Sequence, residues 1–514
     1  MLQAIYDHFR EHGTWPTFIT IDRPIRRLSA TPTAVSARQS PWFNCTGEYL
    51  TIKPGQPLTS LGEENSRAVL IHPAQQEMAN TVAQLIAWLR ACETPEDCFE
   101  FQRHLFGYLY EVEERRAQCS RVIKRLRRGQ SPPADVPPPP TGNPTQLETW
   151  ELEAYVFERV ARQLRMVGDG FAWTCFGYDR RLVLALSRND SPGPMYGKDG
   201  LPYELDAIQE LWKTKQHFAL HHDLTNCLRI ADLTEFTSDG QRLFHEIKAK
   251  PHTEKKQLAR AQAVVDAMSR GGILPSSTGD SRLVELQEPY VTNLKQLNDL
   301  LQLAKGNGSH GMKLPQGRAI VASSLPTMIG RFRNDMEEGS RFLDATRQHA
   351  LKRAGIEKVM HHVKGYSGDT ASRSPIMAPW SIYPFTPIDC AGLICDLLFF
   401  DTTVSADALV ESLERAGLSG EVLLAPADTK LEGDMPVVRA QWRDRAVTWH
   451  AHGLGQLLYE LAEPDTLARG MREVLLMGNP PDYPVLIHKD ESANWFSYKK
   501  KKNKAKRGLS ISKG

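Results

Sequence analysis

Residues 227–250 read CLRIADLTEFTSDGQRLFHEIKAK. The run CLRIADLTEFT, the turn residues Ser238-Asp239-Gly240 and the run QRLFHEIKAK spell strand, tight turn and strand. Successive side chains of a strand point to opposite faces, so Glu246 and Lys248 share one face and Ile247 takes the other. Hairpin pairing brings Asp232 of the first strand beside Glu246, so two carboxylates and one amine are expected to converge.

That grouping suits phosphodiester hydrolysis. A hard divalent ion takes carboxylate oxygens and waters, polarises a phosphate and activates the attacking water. Lys248 is then placed to hold that water or steady the developing negative charge. The alternative is a solvent-facing Asp232 with an ordinary Glu246–Lys248 ion pair, worth less than about 1 kcal/mol. Charges flanked by Leu243, Phe244 and Ile247 cost solvation unless compensated, and a bound cation would compensate them. The spelling E-x-K alone decides nothing, because Glu254-Lys255-Lys256 repeats it in a segment that reads as a helix or helix cap.

Outward from the hairpin, a helix is expected over 148–166, with Leu152, Val156, Val160 and Leu164 along one face and Gly168 and Gly170 at its end. FAWTCFGYD (171–179) and RLVLALS (181–187) read as strands, followed by a surface loop through SPGPMYGKDGLPYELD. After the hairpin come a polar helix carrying Leu258, Ala261, Val265 and Met268, a Leu-rich helix at 290–305 and a strand RAIVASS at 318–324. The order is helix, strands, helix, strand.

ADLTEFTSDGQRLFHEIKAK resembles the D…ExK hairpin of the PD-(D/E)xK, restriction-endonuclease-like superfamily, and the resemblance covers roughly residues 148–325. It implies a nuclease core in which Asp232 and Glu246 hold Mg²⁺ or Mn²⁺ and Lys248 is the catalytic lysine. The family often adds an acidic residue from its first helix, here Glu153 in preference to Glu158. No proline precedes Asp232, where the family pattern has one.

The expected fold is therefore multidomain α/β, with a central restriction-endonuclease-like mixed sheet flanked by helices. Residues 1–75 form a small N-terminal mixed domain, opened by a short helix on Leu2, Ile5 and Phe9 and continued by the strand-like runs FITI, YLTI and AVLIH, for which a winged helix is the candidate topology. A helical hairpin occupies 76–130, built on Met78, Val82, Leu85, Ile86 and Leu89 and on Phe101, Leu105, Leu109 and Val112. A Pro-rich linker at 131–147 marks a domain boundary. The nuclease domain takes 148–325, a C-terminal α/β region 326–498, and a basic tail 499–514. In the C-terminal region Leu397–Phe400 reads as strand and Ala406–Ala416 as helix.

At 514 residues, 41% hydrophobic and 24% charged, the chain is long enough for several cores, and neither a disordered nor a membrane class fits. The 63 Lys and Arg against 61 Asp and Glu leave +2, so any phosphate-binding surface must be local. Local excesses are Lys250, Lys255, Lys256 and Arg260, and the tail Lys499 to Arg507. The 8 cysteines form no CxxC pair and read as reduced. The sequence shows no signal peptide or spanning segment, so the expected location is cytoplasmic. His221, His222 and His245 lack HxH or HExxH spacing and read as structural. No phosphate loop, nucleophile elbow or Rossmann glycine run is present.

The expected activity is DNA cleavage, with RNA as the lesser alternative, in a bacterial restriction or anti-phage setting. The expected partners are nucleic acid, a second copy of the chain or a protein of a defence system. The rival readings are a DNA-repair nuclease and a catalytically inactive nucleic-acid-binding or regulatory protein on the same fold.

Overall fold

A computed structural model describes residues 63–140, 142–187, 193–247, 273–274, 281–287, 289–332, 335–356, 362–368, 377–423, 436–450, 454–477 and 483–488. These fall into two compact units, one drawn from 1–172 and 189–258, the other from 173–188 and 259–506. The residues read as the N-terminal helix, the strands FITI and YLTI, the polar helix after the hairpin, Lys248, Lys250, Lys255, Lys256, Arg260 and the basic tail lie outside the described residues.

The first unit begins with α1 (Glu63–Ile71), α2 (Pro73–Ala91) and α3 (Pro95–Leu126). AVLIH, read above as a strand, ends α1 instead, with Ala68 and Val69 buried. A short apolar run has no period of its own, and here packing decides in favour of helix. α2 and α3 form the expected hairpin. Thr94 and Asp97 close a capping box at the start of α3, and Pro95 occupies the first turn, where its missing N–H costs nothing. The Pro-rich segment stays within this unit, and Val136 is buried against Cys119, Val122 and Trp150.

α4 runs from Leu147 to Cys175, past both glycines expected to end it. Gly168 serves a close approach: a Cβ there would lie 1.9 Å from the carbonyl oxygen of Leu224. FAWTCFGYD is thus mostly helix rather than strand, and RLVLALS forms a second helix, α5 (Arg180–Leu186). Phe171, Ala172, Trp173 and Phe176 are all buried, so the segment is apolar on every side and its pattern cannot separate helix from buried strand. The segment read as a surface loop holds α6 (Leu201–Lys215), with Leu201, Glu204, Ile208 and Leu211 as its buried stripe.

The hairpin exists, but its strands are shorter than expected. β1 (Phe218–His221), β2 (Leu233–Phe236) and β3 (Arg242–His245) form a three-stranded antiparallel sheet in the order β1-β2-β3. Gly240 takes φ 83° in the turn, and Thr237 N donates to Gln241 O at 3.0 Å. One sheet face packs on α6 through Ile208, Leu211, Ala219 and Leu233, with Ile247 alongside. Phe218, stacked on Phe236, meets Phe171 of α4. Gln102 of α3 covers the outer edge of β1: its Nε2 donates to Ala219 O at 2.8 Å and its Oε1 accepts from His221 N at 2.9 Å. Edge groups left without such partners would cost desolvation energy.

The second unit carries β4 (Ile273–Leu274), β5 (Ser281–Leu286), α7 (Leu294–Asn307), β6 (Ser309–Leu314), β7 (Arg318–Ser324), α8 (Leu325–Phe332), α9 (Met336–Ala354) and β8 (His362–Tyr366). It continues with α10 (Pro387–Ile394), β9 (Leu398–Ser405), α11 (Ala406–Arg415), β10 (Ser419–Val422), β11 (Pro436–Trp442), β12 (Arg445–His450), α12 (Gly455–Leu458), α13 (Pro464–Leu476) and β13 (Tyr483–His488). RAIVASS is a strand, as read, but it belongs to the antiparallel sheet β6-β7-β9-β8 and not to the sheet of the hairpin. Every residue of β7 is buried, the polar Arg318, Ser323 and Ser324 included. β10-β11-β12 is antiparallel, and β13-β5-β4 is mixed. A buried Glu460 is held by Arg180, the Tyr290 hydroxyl and the amide of Ala378.

The molecule is thus mixed α/β. Among the described residues no helix is long and apolar enough to cross a membrane, and the seven described cysteines are buried.

Candidate functional site

Asp232 sits at a break in the hairpin. Its amide donates to His245 O at 2.9 Å, although the register partner of His245 is Leu233. Two consecutive residues therefore oppose one, which is a β-bulge, and bulges re-aim side chains. Ala231, just before it, has φ 66°, a left-handed conformation costly for a residue with a Cβ. His222 holds that conformation. A carbonyl only accepts, so Nδ1 carries the proton toward Ala231 O at 3.0 Å, and Nε2 accepts from the Thr234 hydroxyl at 2.7 Å. Burial, then the neighbouring His221, push its pKa down to about 3, which keeps the ring neutral.

Re-aimed in this way, the Asp232 carboxylate meets the Lys198 ammonium at 3.6 Å and accepts the Ile247 amide at 2.7 Å. Lys198 is the hub of the site. Its Nζ also lies 2.8 Å from Glu204 Oε1 and 2.8 Å from Asp223 Oδ2. Glu204 comes from the first turn of α6, Asp223 from the 3-10 turn His222–Leu224 that follows β1, and Lys198 from the loop before α6. His221, the last residue of β1, donates Nε2–H to Glu204 Oε2 at 2.9 Å. Its Nδ1 is buried without a hydrogen-bond partner among the described residues.

α4 fixes these pieces. Asp169 accepts from the amides of Asn226 and Cys227 at 2.6 and 2.9 Å, tying the end of the Asp223 turn to the helix. Gly168 leaves room for Leu224 beside it.

The charges do not balance. Burial alone would raise Glu204 and Asp223, yet His221 and Lys198 outweigh it and hold both below the usual carboxylate range. Lys198 is raised despite its burial, by Asp223 and Glu204. Asp232 is the exception: burial, Glu204 and Glu246 push it up to about 6, and the Ile247 amide and Lys198 offset this only partly. Lys198, His221 and Arg165 together compensate Glu204 and Asp223 but leave Asp232 under-compensated.

Ligand atoms of Glu204, His221 and Asp223 lie within 4.8 Å of one another. Oxygen donors of this kind fit Mg²⁺ or Mn²⁺, and the imidazole nitrogen favours Mn²⁺. The donor set, largely buried and short of positive charge, therefore fits a divalent cation.

The sequence reading named Asp232, Glu246 and Lys248. Glu246 is half-buried and acts on Asp232 electrostatically; Lys248 lies outside the described residues. Glu153 stands elsewhere, its carboxylate at 2.7 Å from both His72 and Arg115. Glu158 pairs with Arg116 and Arg162. The helical acid of this cluster is Glu204. His221, read as structural, belongs to the cluster; His245 does not, since it binds Glu235 at 2.8 Å. Lys198, Glu204 and Asp223 were missed. One available signal was an acid on the apolar 201, 204, 208, 211 stripe, and a second was Pro202 in the first turn of a helix.

No family model, curated protein or solved structure matches the chain.

Proposed function

We propose that this chain is a divalent-cation-dependent nuclease that hydrolyses phosphodiester bonds, with DNA as the expected substrate. The supporting observation is the convergence of Glu204, Asp223 and Asp232, from three separate elements, on one ammonium in a largely buried cluster. Structural ion pairs rarely gather surplus buried carboxylates, because each unmatched charge costs desolvation energy.

Glu204, His221 and Asp223, whose ligand atoms lie within 4.8 Å of one another, would hold the cation together with Asp232, and Glu246 would add negative charge beside Asp232. When bound, the cation supplies charge stabilisation to the phosphate and lowers the pKa of a water. Lys198, whose ammonium these carboxylates surround, would meet a non-bridging phosphate oxygen. The same role was expected of Lys248, and the two lysines are separable by mutation. His221 orients Glu204 through its Nε2–H.

The test incubates purified protein with plasmid, single-stranded DNA and RNA, in Mg²⁺, Mn²⁺ or chelator, beside Asp232→Ala, Lys198→Ala and Lys248→Ala. Cleavage that needs the metal and falls at least about a hundredfold in Asp232→Ala is expected. Equal cleavage by wild type and Asp232→Ala removes the site. Metal-independent binding without cleavage establishes the inactive nucleic-acid-binding reading, and cleavage of RNA alone reassigns the substrate.

A further inference from the structure

The loop that delivers Lys198 and the turn that delivers Asp223 are joined by one buried ion pair. Glu113 of α3 and Arg165 of α4 are 2% and 3% exposed. Arg165 Nη2 donates to Glu113 Oε1 at 2.5 Å and to Gly193 O at 3.0 Å, and its Nε donates to Asp223 O at 3.2 Å. Glu113 Oε2 accepts from the amides of Met195 and Tyr196 at 2.5 and 3.1 Å. These hydrogen bonds join the two side chains to each other and to backbone within five residues of Lys198 or at Asp223 itself.

The chemistry of the pair matters. A guanidinium carries its N–H groups in a fixed plane, so one side chain can hold two carbonyls and a carboxylate in set directions. An ammonium in the same place would keep the charge but lose that geometry. A carboxylate likewise accepts two adjacent amides, which a loop of this shape would otherwise leave unpaired.

We propose that the Glu113–Arg165 pair is the positioning element of the candidate site. It sets the Lys198 loop against the Asp223 turn so that the ammonium and the carboxylates meet. Its consequence for activity rests on the nuclease reading; its consequence for the place of Lys198 does not.

The experiment uses the full chain and Arg165→Lys, which keeps a positive charge opposite Glu113, together with Glu113→Gln. The rate of Lys198 acetylation by an acylating reagent is followed by peptide mass spectrometry, with Lys295, whose side chain is 85% exposed, as internal reference. An amine enclosed by carboxylates reacts slowly. Arg165→Lys is expected to speed Lys198 by about tenfold relative to Lys295, with a smaller effect in Glu113→Gln, which keeps an acceptor for the amides. Plasmid cleavage should lose kcat with little change in KM. Unchanged acetylation of Lys198 in both variants overturns the proposal, as does a uniform rise at all lysines, which would mark general loosening. Should Arg165→Lys fail to fold, the uncharged pair Glu113→Gln/Arg165→Met goes through the same measurement. A wild type inactive on every nucleic acid would remove the nuclease reading, while the acetylation ratio would still decide the positioning role.

Discussion

Asp232→Asn should make the metal-free protein more stable above pH 7 while abolishing cleavage. An ordinary Asp carboxyl titrates near 4, whereas Asp232 is pushed up to about 6 by burial, Glu204 and Glu246. A carboxyl whose folded pKa exceeds its unfolded value takes up a proton on folding between the two. Its contribution is therefore most favourable below both values and is lost as pH rises from about 4 through about 6. At pH 8 that loss is about 3 kcal/mol. Asparagine keeps an oxygen for the Ile247 amide and carries no charge, but it gives up the weak attraction to Lys198 at 3.6 Å. The net gain should be about 1–3 kcal/mol, or about 3–8 °C for a unit of this size. Thermal unfolding in chelator at pH 8 and pH 5 reads it: a higher midpoint for the variant at pH 8, and roughly half that gain at pH 5, which lies midway between the two pKa values. Saturating Mg²⁺ should then stabilise the wild type, by about 2.7 kcal/mol at a hundredfold excess over Kd, and leave the variant unmoved. Equal destabilisation of Asp232→Asn at both pH values, with no response of the wild type to metal, would show that Asp232 serves only as an acceptor for Ile247.

Gly168→Ala should cost about 1–3 kcal/mol in urea unfolding and reduce cleavage, because its Cβ meets the Leu224 carbonyl at 1.9 Å and pushes away the turn that carries Asp223. Arg180→Met should cost about 3–5 kcal/mol, since it leaves the fully buried Glu460 without its guanidinium; a second unit that melts unchanged would show that Tyr290 and the Ala378 amide suffice. Lys248→Ala should keep most of the melting temperature while losing cleavage, and a large thermal loss would favour a structural ion pair. Glu204 and Asp223 have lowered folded pKa values, so their stabilisation is present above the ordinary carboxylate range and lost as pH falls through the folded values. Glu204→Gln should accordingly flatten part of the acid limb of a fluorescence titration, and an unaltered limb would contradict that assignment.

How far the sequence could be read depends on where the deciding interactions lie. The hairpin was legible because turn chemistry and alternation are local, and α2, α3 and most of α4 because an apolar stripe repeats along each. The run 171–187 misled because Phe171, Ala172, Trp173 and Phe176 are buried on every side, which erases the period. The candidate site was half legible for a related reason. Asp232 and Glu246 come from one hairpin, but Lys198 and Glu204 come from a Gly- and Pro-rich stretch whose short helix was hidden by its punctuation. Nothing local pairs these with Asp223. What pairs them is α4, where Arg165, Gly168 and Asp169 stand at i, i+3 and i+4 and so share one side. Arg165 holds the Lys198 loop and Asp223, Gly168 admits Leu224, and Asp169 ties down Asn226 and Cys227. On a helix with one solvated face, an arginine, a glycine and an aspartate in that order would read as surface. On a helix surrounded by protein they must each have a partner, and the partners converge on the Asp223 turn. The polar stripe of a buried helix thus points to the site as directly as the acids of the hairpin do, once the burial is known.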